Sequence, residues 1–299
     1  MRQMDASQDF QAIEPYSLHG PAEQRVAFVF NSPHSGRHYP ARFMAMTRLD
    51  HRMIRRSEDC HVDLLFGHVT QLGAPLLAAN FPRAYLDANR EAFELDPRMY
   101  ADRLPAHVNQ RSARVIGGLG TVPRIVSDGV DIYAGKLPVS EALGRIEHVY
   151  KPYHHALRRL LLSTHARFGL AILIDCHSMP GSVRVPGMAG TPDFIIGDRF
   201  GSSASSALAD HAISLLKAMG YSVAYNKPYA GGFITEHYGR PGRGLHALQI
   251  EINRALYMDE ASYEPTAGFG RLREDLRAFC ADLVSIPESW LLPGSIAAE

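Results

Sequence analysis

The sequence predicts an α/β fold, a single domain on a mixed, mostly parallel sheet with helices on both faces. Three observations predict it. Residues 170–174 are an unbroken apolar run closed by Gly169 behind and by Asp175, Cys176 and His177 ahead, the pattern of a short strand buried on both faces. Residues 193–225 read strand, helix, strand, which implies a right-handed parallel crossover. The chain of 299 residues is 46% hydrophobic and 21% charged, with no repeat, low-complexity tract or linker, so one body over 25–288 is the economical division. An arm over 1–24 precedes it and a tail over 289–299 follows.

Composition excludes several classes. Lys+Arg and Asp+Glu both number 31, so no basic field argues for nucleic acid or an anionic membrane surface. The three cysteines, Cys60, Cys176 and Cys280, form no C-x-x-C motif and no disulfide framework. Residues 1–21 are polar, without the apolar core of a signal peptide, and no stretch is long and apolar enough to span a bilayer. These features lead us to expect a soluble cytoplasmic protein.

Taken in order, residues 25–31 form the first strand, emptying into a turn over 32–37 that carries His34. Ser57 is a good N-cap for a helix with the apolar stripe Val62, Leu65, Val69 and Leu72, stopped by Gly73 and Pro75. Glu58 and Asp59 then fall in its first turn, where acids complement the helix dipole. Residues 75–79 are a second strand. Residues 92–138 are loop-rich, and the glycines at 117, 118 and 120 lack the spacing of a phosphate-binding loop. Residues 140–168 are helical, with Pro152 kinking or splitting the segment, and at most one of His154 and His155 facing inward. Residues 180–190 and 231–241 read as loops. Strands at 193–197, 221–225 and 245–253 follow, with helices at 202–219 and 258–284.

Ligands of open α/β sheets bind beyond the carboxyl ends of the strands. His177 and His34 both stand at such ends, although a lone Asp-x-His pair also serves as a purely structural hydrogen-bonding pair. Glu251 lies near the end of a strand otherwise made for burial, so it either pairs with an arginine or works as a catalytic carboxylate. Two histidines and one carboxylate make a catalytic zinc shell, and a further glutamate can take a proton from the attacking water. The segment 82–91 is dense in groups suited to a substrate carboxylate or to local ion pairs.

Eight stretches, at 32–36, 57–63, 82–90, 132–138, 151–154, 175–178, 231–241 and 247–251, together resemble the N-formylglutamate amidohydrolase family in composition and order. The resemblance implies a zinc-carboxypeptidase-like (phosphorylase/hydrolase-like) fold. It also implies a Zn2+ enzyme that splits N-formyl-L-glutamate to formate and glutamate, the last step of one route of histidine breakdown. On the matching positions it implies His34, Asp59 and His177 as metal ligands and Glu251 as general base. Asn89 and Arg90 resemble an Asn-Arg pair that binds a terminal carboxylate, and Arg83, Arg240 and His246 join them as candidate substrate-binding residues. Carboxypeptidases use a compact His-x-x-Glu. Here Arg37 fills the third place, so the carboxylate ligand comes from further on, and Glu58 competes with Asp59. The expected partner is a small N-acyl amino acid. The alternatives are an amidohydrolase for another N-acyl amino acid or short peptide, and a metal-free binding protein of the same fold.

Overall fold

A computed structural model describes residues 14–126, 129–188 and 190–292. Along the chain run β1 (Tyr16–His19), β2 (Phe28–Ser32), α1 (Ala41–Met46), α2 (Val62–Phe66), β3 (Leu76–Ala79), α3 (Ala113–Ile116), α4 (Val139–Arg145) and α5 (Lys151–Phe168). They are followed by β4 (Ala171–Met179), β5 (Phe194–Gly197), α6 (Ser206–Ala218), β6 (Val223–Tyr225), α7 (Phe233–Tyr238), β7 (Leu245–Asn253) and α8 (Gly268–Leu283). The strands described form one mixed sheet in the order β1-β3-β2-β4-β7-β5-β6. The pairs β2–β4, β4–β7 and β5–β6 are parallel, and β5–β7 is antiparallel. Among the described residues, no helix is long and apolar enough to cross a membrane.

Contacts group the chain into two units. One comprises residues 18–32, 59–77 and 157 onward, and it holds most of the sheet. Alternation along its strands separates the two sheet faces. Phe28 and Phe30, Ile172, Ile174 and Cys176, and Leu248, Ile250 and Ile252 all enter one apolar core. Val62, Leu65 and Phe66 of α2, Leu208, Ala212 and Leu216 of α6, and Leu272, Leu276 and Leu283 of α8 cover that core. Burying such side chains supplies roughly 1.5–3 kcal/mol each before conformational entropy is counted. The opposite face carries the polar positions Asn31, Asp175, His177, Gln249 and Glu251 at its strand ends, with α7 anchored there by the Gly232 N–H on Gln249.

The other unit comprises the chain up to Ser17, Pro33–Glu58 and Ala78–Ala156. Its interior is built around Arg145, a fully buried cation. The guanidinium lies over the Tyr85 ring at 4.1 Å, donates to the Tyr133 hydroxyl at 2.7 Å and pairs with Glu141 at 2.9 Å. A buried charge persists only when paired and hydrogen-bonded in this way.

Four expectations change and one holds; the first change is that residues 231–241, read as a loop, contain the helix α7. β4 does not leave the sheet at Asp175 but runs on to Met179, because β7 pairs with it from Ala171 through Met179. The helix expected from Ser57 begins only at Val62. Ile54–Ser57 is a 3-10 turn, Glu58 is extended and His61 takes a left-handed φ of 64°, which ends any continuous helix through this stretch. Residues 140–168 split as expected at Pro152. A π turn over Ile146–Tyr150 separates α4 from α5, and it accommodates a proline that has no N–H to give. The last helix starts at Gly268, ten residues later than position 258. The first thirteen residues of the expected arm, Ala189 of the 180–190 loop and the tail beyond Leu292 lie outside the described residues.

Candidate functional site

The site is best built from the strand ends. Parallel register sets Asn31 beside Asp175, Asp175 beside Gln249, and His177 beside Glu251. Residues two apart on a strand share a face, so these side chains project together, away from the apolar core. The Asn31 amide donates to Asp175 Oδ1 at 2.8 Å, and Asp175 Oδ2 lies 2.9 Å from His177 Nε2. His177 Nδ1 in turn is 3.0 Å from Asp59 Oδ2. Burial works against a charged imidazole, but Asp175, then Asp59 and Glu251, hold the His177 pKa well above the ordinary histidine value.

The second oxygen of Asp59 is also engaged. Oδ1 accepts from the Ser178 hydroxyl at 3.1 Å and from Arg254 Nη2 at 3.1 Å, and Arg254 Nε donates to the same Ser178 oxygen at 3.0 Å. Burial opposes the charge on Arg254, and the Asp59 carboxylate more than restores it, raising the Arg254 pKa. Glu251 is held from its own strand. The Gly232 N–H donates to Gln249 Oε1 at 3.0 Å, which turns the amide so that Nε2 donates to Glu251 Oε1 at 2.8 Å.

His34 sits in a comparable arrangement. Its Nε2 lies 2.8 Å from Asp87 Oδ1, which also accepts the Asn89 N–H at 2.8 Å. The other oxygen, Oδ2, takes Arg83 Nε at 3.0 Å and Arg90 Nη2 at 3.2 Å. Burial alone would raise the Asp87 pKa, but Arg90, Arg83 and His34 hold the carboxyl well below its usual range. Arg90 also donates to the Leu119 and Asn89 carbonyls, at 2.7 Å each. The neighbouring Ala88 carbonyl is held 2.9 Å from His154 Nε2, and of the adjacent pair it is His154 that is buried and His155 that is exposed.

One ligand atom each from His34, Asp59 and His177 lies within 4.8 Å of the others, and all three residues are buried. The chain path explains the convergence. His34 is two residues beyond β2, β2 is the parallel neighbour of β4, and His177 lies two residues before the end of β4. Glu58 and Asp59, the two competing acids, go different ways because the backbone between them is extended. Glu58 receives the Tyr39 hydroxyl and Arg55 Nε, whereas Asp59 meets His177 and Arg254.

Other expected residues are placed elsewhere. His246 stands at the amino end of β7, five residues before Glu251, hence about 16 Å away along the strand. Its Nδ1 accepts the Ser205 N–H and its Nε2 lies 2.8 Å from the Leu291 carbonyl oxygen, so it binds backbone rather than facing the strand-end row. Arg240 is exposed and donates to the Glu236 and Gly239 carbonyls at 2.6 Å. Conversely, Asp87, Gln249 and Arg254 belong to this network without being among the candidates named from the sequence. Asp87 was visible in principle, since Arg83 precedes it by four residues and Asn89-Arg90 follow. Arg254 and Gln249 carry no local signal, because only strand register and the turn after β7 reveal their neighbours.

The donor set fits a metal ion. Two histidine nitrogens and one carboxylate oxygen suit zinc, and each histidine has a carboxylate on its Nε2, the arrangement that orients metal-binding imidazoles. A mixed α/β sheet with such a set and a glutamate at its strand ends has the make-up of a hydrolase. The comparisons give the family. The model of the N-formylglutamate amidohydrolase family matches residues 26–258, and the chain belongs to that family. An N-formylglutamate deformylase of Pseudomonas aeruginosa is 31% identical over 269 residues, covering 89% of this chain and 94% of that protein. One from Pseudomonas putida is 32% identical over 221 residues, covering 73% and 74%. The crystal structure of N-formylglutamate amidohydrolase from Ralstonia eutropha JMP134 matches with a TM-score of 0.86 at 35% identity, covering 91% of this chain and 98% of that one.

Proposed function

We propose that this protein is a zinc-dependent amidohydrolase that hydrolyses N-formyl-L-glutamate to formate and L-glutamate. The observation that carries it is the buried His34, Asp59 and His177 set with Asp87 and Asp175 behind its histidines, in a chain similar to N-formylglutamate deformylases along most of its length. With Nε2 of each histidine on a carboxylate, Nδ1 is the nitrogen that would meet the metal. Zinc held there would polarise the formyl oxygen and lower the pKa of a water to about 7.

The chain's own groups do the rest. Glu251 accepts the proton of the attacking water and passes it to the glutamate nitrogen as the amide bond breaks. Gln249 presents Glu251 by donating Nε2 to its Oε1 at 2.8 Å. Arg83 and Arg90 converge on Asp87, and Arg83 is the more exposed, 26% against 10%. That favours Arg83 for a substrate carboxylate, with Arg90 and Asn89 shaping the loop behind it.

The test is metal analysis together with formate release over a panel of N-formyl and N-acyl amino acids. We expect about one zinc per chain and a clear preference for N-formyl-L-glutamate. Glu251→Gln should keep the zinc and lose turnover by roughly 10²–10⁴-fold. Loss of zinc in that variant would make Glu251 a ligand, and no preference for the formylglutamate would remove this substrate.

A further inference from the structure

We infer that Arg254 is a positioning residue for the metal ligand Asp59, holding one carboxylate oxygen so that only the other faces the metal. This rests on Asp59 being a ligand. A carboxylate has two equivalent oxygens, and a free one can swing or take a cation with both. Here Oδ1 is claimed twice, by Arg254 Nη2 at 3.1 Å and by Ser178 Oγ at 3.1 Å. Oδ2 alone lies beside His177 Nδ1, at 3.0 Å. Arg254 also donates Nε to Ser178 Oγ at 3.0 Å, so guanidinium, hydroxyl and carboxylate form a closed triangle. The planar fork serves this purpose where an ammonium would not, because two of its N–H groups must point in fixed, different directions.

The chain is shaped to deliver that fork. After β7 comes a 3-10 turn over Arg254–Leu256, capped by Asn253 Oδ1 accepting the Ala255 N–H at 3.0 Å. Three residues on, the Tyr257 hydroxyl donates to the Cys60 carbonyl at 2.9 Å. The turn is thus fastened to the backbone beside Asp59 independently of Arg254, and Arg254 itself is buried. The bond to Cys60 remains when the guanidinium is removed, so a variant at 254 loses the hold on the carboxylate while the turn keeps a second anchor. The register of β4 against β7, which pairs Ser178 with Ile252, places the hydroxyl within reach of the turn.

Zinc affinity of the metal-stripped protein, measured by competition with a chromophoric chelator, tests this without reference to catalysis. Arg254→Met should bind zinc about 10- to 100-fold more weakly than the parent chain. Arg254→Lys, which keeps the charge but not the fork, should fall between. In an Asp59→Asn background the Arg254→Met change should add less than about twofold, because the carboxylate it holds is gone. Equal affinity of the parent and Arg254→Met, or losses at 59 and 254 that simply add, would overturn the inference while leaving the metal centre standing. Absence of zinc binding in the parent would remove the centre and this inference together. Should Arg254→Met fail to fold, Ser178→Ala removes the second donor to the same oxygen. A shift of the same sign there supports the inference, and an unchanged affinity overturns it.

Discussion

Three aspartates show how neighbours set the role of one side chain. Asp59 faces His177 with one oxygen and Arg254 and Ser178 with the other, Asp175 stands behind His177, and Asp87 stands behind His34. Their partners decide which is a candidate ligand and which orients one. Histidines divide likewise. The Nδ1 and Nε2 of His246 both meet backbone groups, and burial holds its pKa below the ordinary value despite the Leu291 carbonyl. A depressed pKa contributes stability that is present above the unfolded value of about 6.5. That stability is lost as pH falls toward the folded pKa, because the unfolded chain binds the proton first. Thermal unfolding should therefore show the parent losing more stability between pH 7.5 and pH 5.5 than His246→Gln does, and equal losses would exclude the effect.

At the scale of elements, the strands from β2 onward are legible, and of the breaks only the one at Pro152 is. Residues 25–31, 170–174 and 245–253 announce themselves because apolar β-formers run together. The stripe Val62, Leu65, Val69 persists in the structure, but α2 and a following 3-10 turn share it. Hydrophobic period cannot detect the extended Glu58, which parts the two acids, or the left-handed His61, which delays the helix to Val62. The loop after β2 is set by close approach. A Cβ on Gly36 would sit 2.1 Å from the Phe81 carbonyl oxygen, while the His38 N–H donates to the Asn80 carbonyl at 3.0 Å. Gly36→Ala must push this loop off the 80–81 backbone. We expect it to cost about 1–3 kcal/mol and to weaken zinc binding by displacing His34. A variant with unchanged melting temperature and zinc content would show that the backbone yields there.

At the scale of the molecule, the three candidate ligands lie at positions 34, 59 and 177, so a metal bound to them joins segments far apart in sequence. A ligand bound only to the folded chain stabilises it by mass action, about 4 kcal/mol at a thousandfold excess over Kd. Chelation of the loaded protein should therefore lower Tm by roughly 5–10 °C. Zinc should restore it, and Asp59→Ala should show neither change. A Tm indifferent to chelator would deny the centre its structural coupling.

The sequence by itself determined the α/β class, the strands from β2 onward, both strand-end histidines and the family, because apolar runs, turn residues and motif order are local and need no neighbours, whereas β1 fell in the segment read as an arm. Only the tertiary structure separated Asp59 from Glu58, put Asp87 behind His34, placed His246 at the far end of its strand and brought Arg254 onto Asp59. Each of these depends on which strand lies beside which and in what register, and hydrogen bonds between residues 53 to 195 positions apart leave no trace in local pattern.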